Sequence, residues 1–238
     1  MPSKFTYRSN QTEMLDEPNI PKELLFKNLR ELELINRTLG GHAISLEGIR
    51  ELLTDKSKVY NIVDIGCGGG DAMKEIAHWA ERHEYKVNIT GVDMNPDCIE
   101  FTRKACSQYP NINGVVMDYR DYLKEHNDVD IIHCSLFCHH LTNNELVELF
   151  IHMNKYTKAG AVINDLQRHW LAYYAIKFLT RLFMGSTLVK NDAPISVLRG
   201  FNKSELEDVI SNAGIKNAAV EWKWAFRYLI VAKPNAAH

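Results

Sequence analysis

The chain has 238 residues, 45% of them hydrophobic and 24% charged, which excludes a disordered, collagenous or membrane-spanning protein. Its 28 Lys and Arg nearly balance 30 Asp and Glu, giving a net charge of -2, and no Lys/Arg run is longer than two, so the basic face that captures nucleic acid is missing. At ~150 residues per domain, the length allows one large domain or two small ones.

In chain order, Leu24, Leu25, Leu29, Leu32, Ile35, Leu39, Ile44, Ile49 and Leu52 recur mostly at helical spacing. They predict a helical hairpin over 21–53, broken at Gly40-Gly41 and set before the main domain. A short apolar strand over 59–65 then runs into Gly66-Cys67-Gly68-Gly69-Gly70, and a helix follows over 72–83. The alternation continues with strands near 86–93, 114–117 and 129–135, helices near 96–108, 119–125 and 143–156, and a strand over 161–165. Such alternation specifies a parallel α/β sheet. It is interrupted by an apolar, aromatic helix over 170–184, whose Lys177 and Arg181 can keep their heads in water. That helix reads as a core or covering element, and only weakly as a membrane-surface helix, because an anchor of that kind carries more basic residues. The stretch around Asp192-Ala193-Pro194 reads as a loop, 203–213 as a helix ended by Gly214, and 218–223 and 226–232 as a closing antiparallel pair.

The five cysteines, Cys67, Cys98, Cys106, Cys134 and Cys138, are odd in number and follow no apolar leader, which indicates free thiols in a reducing cytoplasm. No run of ~18 apolar residues is present, so no stable membrane insertion is expected.

The glycines at 66, 68 and 70 let the backbone turn sharply and approach a ligand, and the helix after them points free N–H groups at the same space. The dinucleotide fingerprint G-x-G-x-x-G would place its third glycine at position 71, where Asp71 is unwelcome beside a pyrophosphate. Asp64 just before the turn suits a ligand that carries positive charge.

In these residues the chain resembles the class I S-adenosylmethionine-dependent methyltransferases. D64-I-G-C-G-G-G70 is similar to their first motif, G91-V-D-M-N-P96 to the second, V115-V-M-D-Y119 to the third, and D130-I-I-H-C-S-L-F-C-H-H-L141 to the fourth. The resemblance implies a Rossmann-like seven-stranded, mostly parallel sheet with an antiparallel last strand, here with an N-terminal helical cap at 1–55 and the cofactor-binding domain at 56–238, interrupted by a helical insertion near 168–198. It implies S-adenosylmethionine as cofactor and S-adenosylhomocysteine as product. Asp64, Gly66, Cys67, Gly68 and Gly70 would cradle the methionine part, Asp93 with Met94 the ribose, and Asp118 with Tyr119 the adenine; Ser135 would border the methyl site, and Arg37 would reach in from the cap.

Amino-methylating members carry an Asp/Asn-Pro-Pro-aromatic box where this chain has Ser135-Leu136-Phe137-Cys138. The Phe-x-His-His-Leu form and the leading helices look instead like the small-molecule enzymes of quinone and polyketide pathways. That implies O- or C-methylation of a small hydrophobic, aromatic or quinone-like acceptor, with no nucleic-acid partner and room for a homodimer. A phenol ionises near pH 10, so a neighbouring base helps, and His140, then His139, are the candidates, with Asp165 beside them. Phe137, Arg168, Trp170, Tyr173 and Tyr174 are the candidate acceptor contacts. Cys134 and Cys138 before the histidines do not form the separated ligand pairs of structural zinc, and no metal is expected. The alternatives are an NAD(P)-dependent oxidoreductase and a non-catalytic protein that binds S-adenosylmethionine.

Overall fold

A computed structural model describes residues 4–17 and 19–235. Residues 1–3 of the expected cap, Pro18, and residues 236–238 of the expected main domain lie outside it. The strands are β1 (Val59–Ile65), β2 (Lys86–Asp93), β3 (Ile112–Val116), β4 (Ile131–Ser135), β5 (Gly160–Leu166), β6 (Asn217–Lys223) and β7 (Arg227–Lys233). They form one sheet in the order β3-β2-β1-β4-β5-β7-β6, with β7 antiparallel to both of its neighbours. The order reverses between β1 and β4, and open α/β sheets bind their ligands at the carboxyl ends of the strands beside such a point.

Alternate residues of each strand enter different layers, as the two-residue repeat of a strand requires. Ile62, Ile89, Ile131, Val162 and Leu229 pack against α2 (Gly41–Leu52), α3 (Asp71–Arg82) and Ile99 of α4 (Pro96–Ala105). Val63, Ile132, Cys134, Ile163 and Ile230 pack on the other face against α5 (Tyr119–Glu125), α6 (Asn143–Tyr156) and α9 (Lys203–Asn212). Thus α2 is a layer of the sheet through Ile44, Ile49 and Leu52. Helix α1 (Lys22–Thr38) instead packs against both α2 and α8 (Thr187–Arg199) and, like α7 (Trp170–Phe183), lines the cavities at the carboxyl edge.

The stretch expected as a loop around Asp192-Ala193-Pro194 is the middle of α8. Ser186 caps that helix, its hydroxyl accepting from the Val189 N–H, while the Asp192 carboxylate accepts from the Met14 and Leu15 N–H groups at 2.8 and 2.9 Å. Long-range packing of Leu188, Val189, Val197 and Leu198 outweighs the donor that Pro194 lacks.

A buried polar network joins the covering helices to the sheet. Arg227, at the start of β7, donates to Asn36 Oδ1 of α1 (3.0 Å) and to Asn164 Oδ1 of β5 (3.3 Å). Asn164 in turn donates to the Gly41 carbonyl and to Ser45 Oγ, whose hydroxyl lies 2.9 Å from His133 Nε2, and His133 Nδ1 is 2.6 Å from Asp64. Asn36 Nδ2 and His42 Nε2 both meet the Asp71 carboxylate, at 3.0 and 2.7 Å. Burial brings the Arg227 guanidinium down to about 10, against the pull of Asp165 and Asp71. Replacing Arg227 by Met leaves the Asn36 and Asn164 carbonyls without their donor, and we expect a loss of about 2–4 kcal/mol in urea unfolding. A loss under ~1 kcal/mol would show that the network is not what seats α1.

Candidate active site

The carboxyl ends of β1, β2 and β4 open into a cleft of about 430 Å³ lined by Asp64, Gly66, Cys67, Gly68, Asp93, Met94, Asp118, Tyr119, Ser135 and Phe137. Its floor is the turn after β1. Gly66, Gly68 and Gly70 have φ of +68°, +50° and +72°, values that glycine alone takes freely. A Cβ on Gly66 would stand 2.2 Å from the Phe137 ring, whereas one on Gly68 would meet only Leu29 at 3.8 Å. The Asp93 carboxylate accepts from the Gly68 N–H (3.0 Å) and the Asn95 N–H (2.9 Å), so the acidic end of β2 holds the glycine turn in shape. Burial pushes the Asp93 carboxyl above its ordinary value, partly offset by those two N–H donors.

Asp118 caps α5, accepting from the Arg120 N–H at 2.7 Å and pairing with its guanidinium at 3.3 Å. Tyr119 is buried with its ring edge toward Phe137, and burial pushes its phenol well up. The Ser135 hydroxyl is buried without a partner at the cleft wall. Cys67 is buried beside Gly91, and burial also pushes its thiol well up. Met94 is largely exposed at the rim. All five cysteines are free and buried.

A second, more apolar cavity of about 240 Å³ adjoins the first, sharing Leu15, Leu32, Leu136 and His140 with it. Its walls come from Ile35 and Leu39 of α1, Ile176 and Leu179 of α7, Val189 and Val197 of α8, and Phe226 before β7. Leu136 sits at the seam with φ +54°, a left-handed conformation that costs a branched residue about 1–2 kcal/mol and turns the chain from β4 between the two spaces. Three polar groups border the second cavity deep inside: the Asn28 amide, whose carbonyl oxygen is unpartnered, Glu13 and His139.

His139 is buried, with Nδ1 2.7 Å from Asp165 Oδ1; His140 is partly open, with Nδ1 3.1 Å from Asp16 Oδ1. An ionised carboxylate only accepts, so each imidazole carries a proton on Nδ1, and in the neutral ring the lone pair is on Nε2. Burial raises the Asp165 carboxyl, but His139 outweighs it and holds the group below its ordinary value. Burial pushes Glu13 up to about 7, despite the pull of His140, Ser196 and Arg199.

Several expected contacts lie elsewhere. Arg37 is exposed and lines neither cavity; the helix turns its neighbour Asn36 inward, where it lines the cleft and binds Asp71 and Arg227. Arg168 is buried against Glu205 (2.6 Å) and donates to the Phe5, Thr6 and Gly200 carbonyls, so it pins the N-terminal segment rather than an acceptor. Trp170 and Tyr174 are 55% and 53% exposed, and Tyr173 packs on Phe5 and under Lys4, because the face of α7 that meets the cavity is Ala172, Ala175, Ile176 and Leu179. Phe137 lines the first cleft instead of the second. Asp165 acts on His139 from behind. Sequence reasoning missed Glu13, Asp16 and Asn28. Glu13 and Asp16 lie in a polar, aperiodic segment, and Asn28 is one amide among the apolar residues of α1, so no local signal marks them.

Gly66→Ala is expected to cost about 2–4 kcal/mol in thermal unfolding, from the backbone and the Phe137 collision together, and Gly68→Ala only the backbone share of about 1–2 kcal/mol. Equal losses would contradict the close packing of Phe137 on the turn.

Residues 62–160 match the family model described as a methyltransferase domain. Among curated proteins, the mitochondrial ubiquinone biosynthesis O-methyltransferase of Saccharomyces cerevisiae is 24% identical over 139 residues, covering 57% of this chain and 41% of its own length. The chain thus spans less than half of that relative. Among solved structures, the plantazolicin methyltransferase BpumL in complex with SAH superposes with a TM-score of 0.65 at 15% identity, covering 90% of this chain and 95% of that one. Human N-acetylserotonin methyltransferase in complex with SAM gives 0.61 at 13% identity, covering 91% and 57%. At such identities the structures speak to the fold, that of the class I S-adenosylmethionine-dependent methyltransferases, while the match over residues 62–160 shows that this part of the chain is a methyltransferase domain.

Proposed function

We propose that the chain moves the methyl group of S-adenosylmethionine to a small hydrophobic, aromatic or quinone-like acceptor, by O- or C-methylation. The observation that carries this reading is the meeting of a polar cleft and an apolar cavity at one seam, Leu136 and His140. S-adenosylmethionine supplies a methyl group on a sulfonium that is already a strong electrophile. The first cleft fits it by its donors and acceptors: an open glycine turn with free space over Gly68, the Asp93 carboxylate for ribose hydroxyls, Asp118 for the adenine amino group, and the partnerless Ser135 hydroxyl near the methyl end. The likeness to the ubiquinone biosynthesis and N-acetylserotonin methyltransferases supports an acceptor of this class.

The protein's part is alignment, which can supply ~7 kcal/mol or more. Ile35, Ile176, Leu179 and Phe226 hold an apolar ring, and Asn28 Oδ1 accepts from one of its polar hydrogens. With the cofactor bound, its sulfonium would supply the methyl group and keep the electron pair of the broken carbon–sulfur bond, and His140 Nε2 would receive the acceptor proton while Asp16 orients the ring by accepting from Nδ1.

The test is transfer of labelled methyl groups to a panel of phenols and hydroquinones, with calorimetric titration of S-adenosylhomocysteine alongside. Asp93→Asn should weaken S-adenosylhomocysteine by about 100-fold through loss of charge-assisted hydrogen bonds. Ile176→Trp should raise the acceptor KM about tenfold or more while leaving S-adenosylhomocysteine affinity within about twofold, because it fills the second cavity alone. If Ile176→Trp leaves every acceptor unaffected, the acceptor does not sit where proposed, and absence of S-adenosylhomocysteine binding would remove the cofactor assignment.

A further inference from the structure

Glu13, His139 and His140 bring one carboxylate and two imidazoles together at the inner end of the apolar cavity, with their ligand atoms within 4.8 Å of one another. His139 Nε2 stands 3.7 Å from Glu13 Oε1, and His140 Nε2 stands 3.9 Å from Glu13 Oε2. Those gaps are too wide for hydrogen bonds. They are close to the separation of two atoms bound to one zinc ion, since tetrahedral ligands ~2.1 Å from an ion stand ~3.4 Å apart. Closing the set on an ion asks side-chain shifts of under ~1 Å.

The surroundings are those of a metal site. Each imidazole gives its Nδ1 to a carboxylate, His139 to Asp165 at 2.7 Å and His140 to Asp16 at 3.1 Å, the outer arrangement that fixes the tautomer of ligating histidines and aims Nε2 at the ion. Glu13 is only 3% exposed, yet its Oε1 has no hydrogen-bond partner and faces His139 Nε2, while its Oε2 faces His140 Nε2. A buried carboxylate oxygen with nothing to bind is costly, and a divalent cation removes that cost. The charges allow it. Arg199 pairs with Asp16 at 2.9 Å and lies 3.9 Å from Glu13, so one guanidinium stands beside two carboxylates, while Asp165 pairs with His139. Glu13 is itself set in place from a distance, because Asp192 holds the two N–H groups that follow it.

We propose that Glu13, His139 and His140 bind a single zinc-type divalent cation, which ties the N-terminal segment to the turn after β4 and leaves its remaining positions open to the apolar cavity. Two imidazoles and one carboxylate with an open position are a set that zinc accepts. The site stands on the ligand geometry alone; only its role at the acceptor rests on the methyl-transfer reading. In that role His140 Nε2 would hold the cation instead of taking the acceptor proton itself, and the cation would face the acceptor oxygen and favour loss of its proton to solvent before the methyl group arrives.

The test uses the full chain, treated with chelator and titrated with Co²⁺, then with Zn²⁺ in competition. One equivalent of Co²⁺ should give visible d–d absorption, displaced by Zn²⁺, and Zn²⁺ should raise the melting temperature. Glu13→Gln and His140→Asn should each weaken binding by ~100-fold or more, and Asp16→Asn, which touches only the outer arrangement, by ~10-fold or more. Glu13→Gln keeps the shape of the side chain and stays informative where a histidine variant does not fold. Absence of the absorption in a chain that still binds S-adenosylhomocysteine would overturn the metal site and leave the transfer reading intact. Absorption that persists unchanged in Glu13→Gln would assign the metal to other histidines and overturn it as well.

Discussion

Arg227 is a cation sealed inside the protein, and the arrangement of the carboxyl edge follows from how it is satisfied. Its guanidinium can reach only side chains that are themselves buried, Asn36 from α1 and Asn164 from β5. Asn36 then has a free amide N–H₂ that only Asp71 meets, and Asp71 opens the helix after the glycine turn. A buried polar network of this kind is stable only when each member finds its partner, so it admits few relative positions of α1, β5, β7 and α3. The close approach of Gly41 belongs to the same constraint. A Cβ there would stand 1.8 Å from Asn36 Oδ1.

That constraint places α1 across the end of the sheet with Leu32 facing both cavities and Asn28, Ile35 and Leu39 facing the apolar one. The other side of the seam is made by the turn after β4. Leu136 in its left-handed conformation sends Phe137 back onto Gly66 and carries the chain on to the histidine pair. One short segment therefore closes the glycine turn, divides the two spaces and presents His139 and His140 to the second. The strain at Leu136 is held by the N–H bond to the Asn164 carbonyl, which returns to the same network.

The parts of this site that rest on local backbone geometry are legible in the sequence. Glycines at 66, 68 and 70 make the sharp turn expected of them, with positive φ, and Asp93 lies at a strand end beside them, bonded to Gly68. The strands follow from alternation and from the antiparallel closing pair, and the seven-stranded sheet is the one that the resemblance implies. The parts that rest on distant side chains are not legible. Helix α7 is apolar on nearly all sides, so its periodicity does not tell the cavity face from the exposed one, and the aromatic residues fall on the wrong face. Arg37 and Asn36 differ by one helical step of ~100°, finer than the pattern resolves. Helix α8 reads as a loop because Pro194 and Asp192 are loop residues by type, and what makes Asp192 a helix residue is a partner in the N-terminal segment.

The same division shows where the chain can vary without losing its fold. The cofactor half is fixed by main-chain groups: N–H donors of Gly68, Asn95 and Arg120 on carboxylates that also close strands and cap helices. Substitution there disturbs the turn itself. The second cavity is lined mainly by side chains of α1, α7 and α8, with its N-terminal edge held by Asp192 and by the guanidinium groups of Arg8, Arg168 and Arg199 on backbone carbonyls. Hydrogen bonds to carbonyls do not depend on the identity of the residue that carries the carbonyl. Residues 5–16 can therefore change their side chains, Arg8, Glu13 and Asp16 excepted, and still be held in place, so the chemistry at the seam is separable from the anchoring of the segment that delivers it.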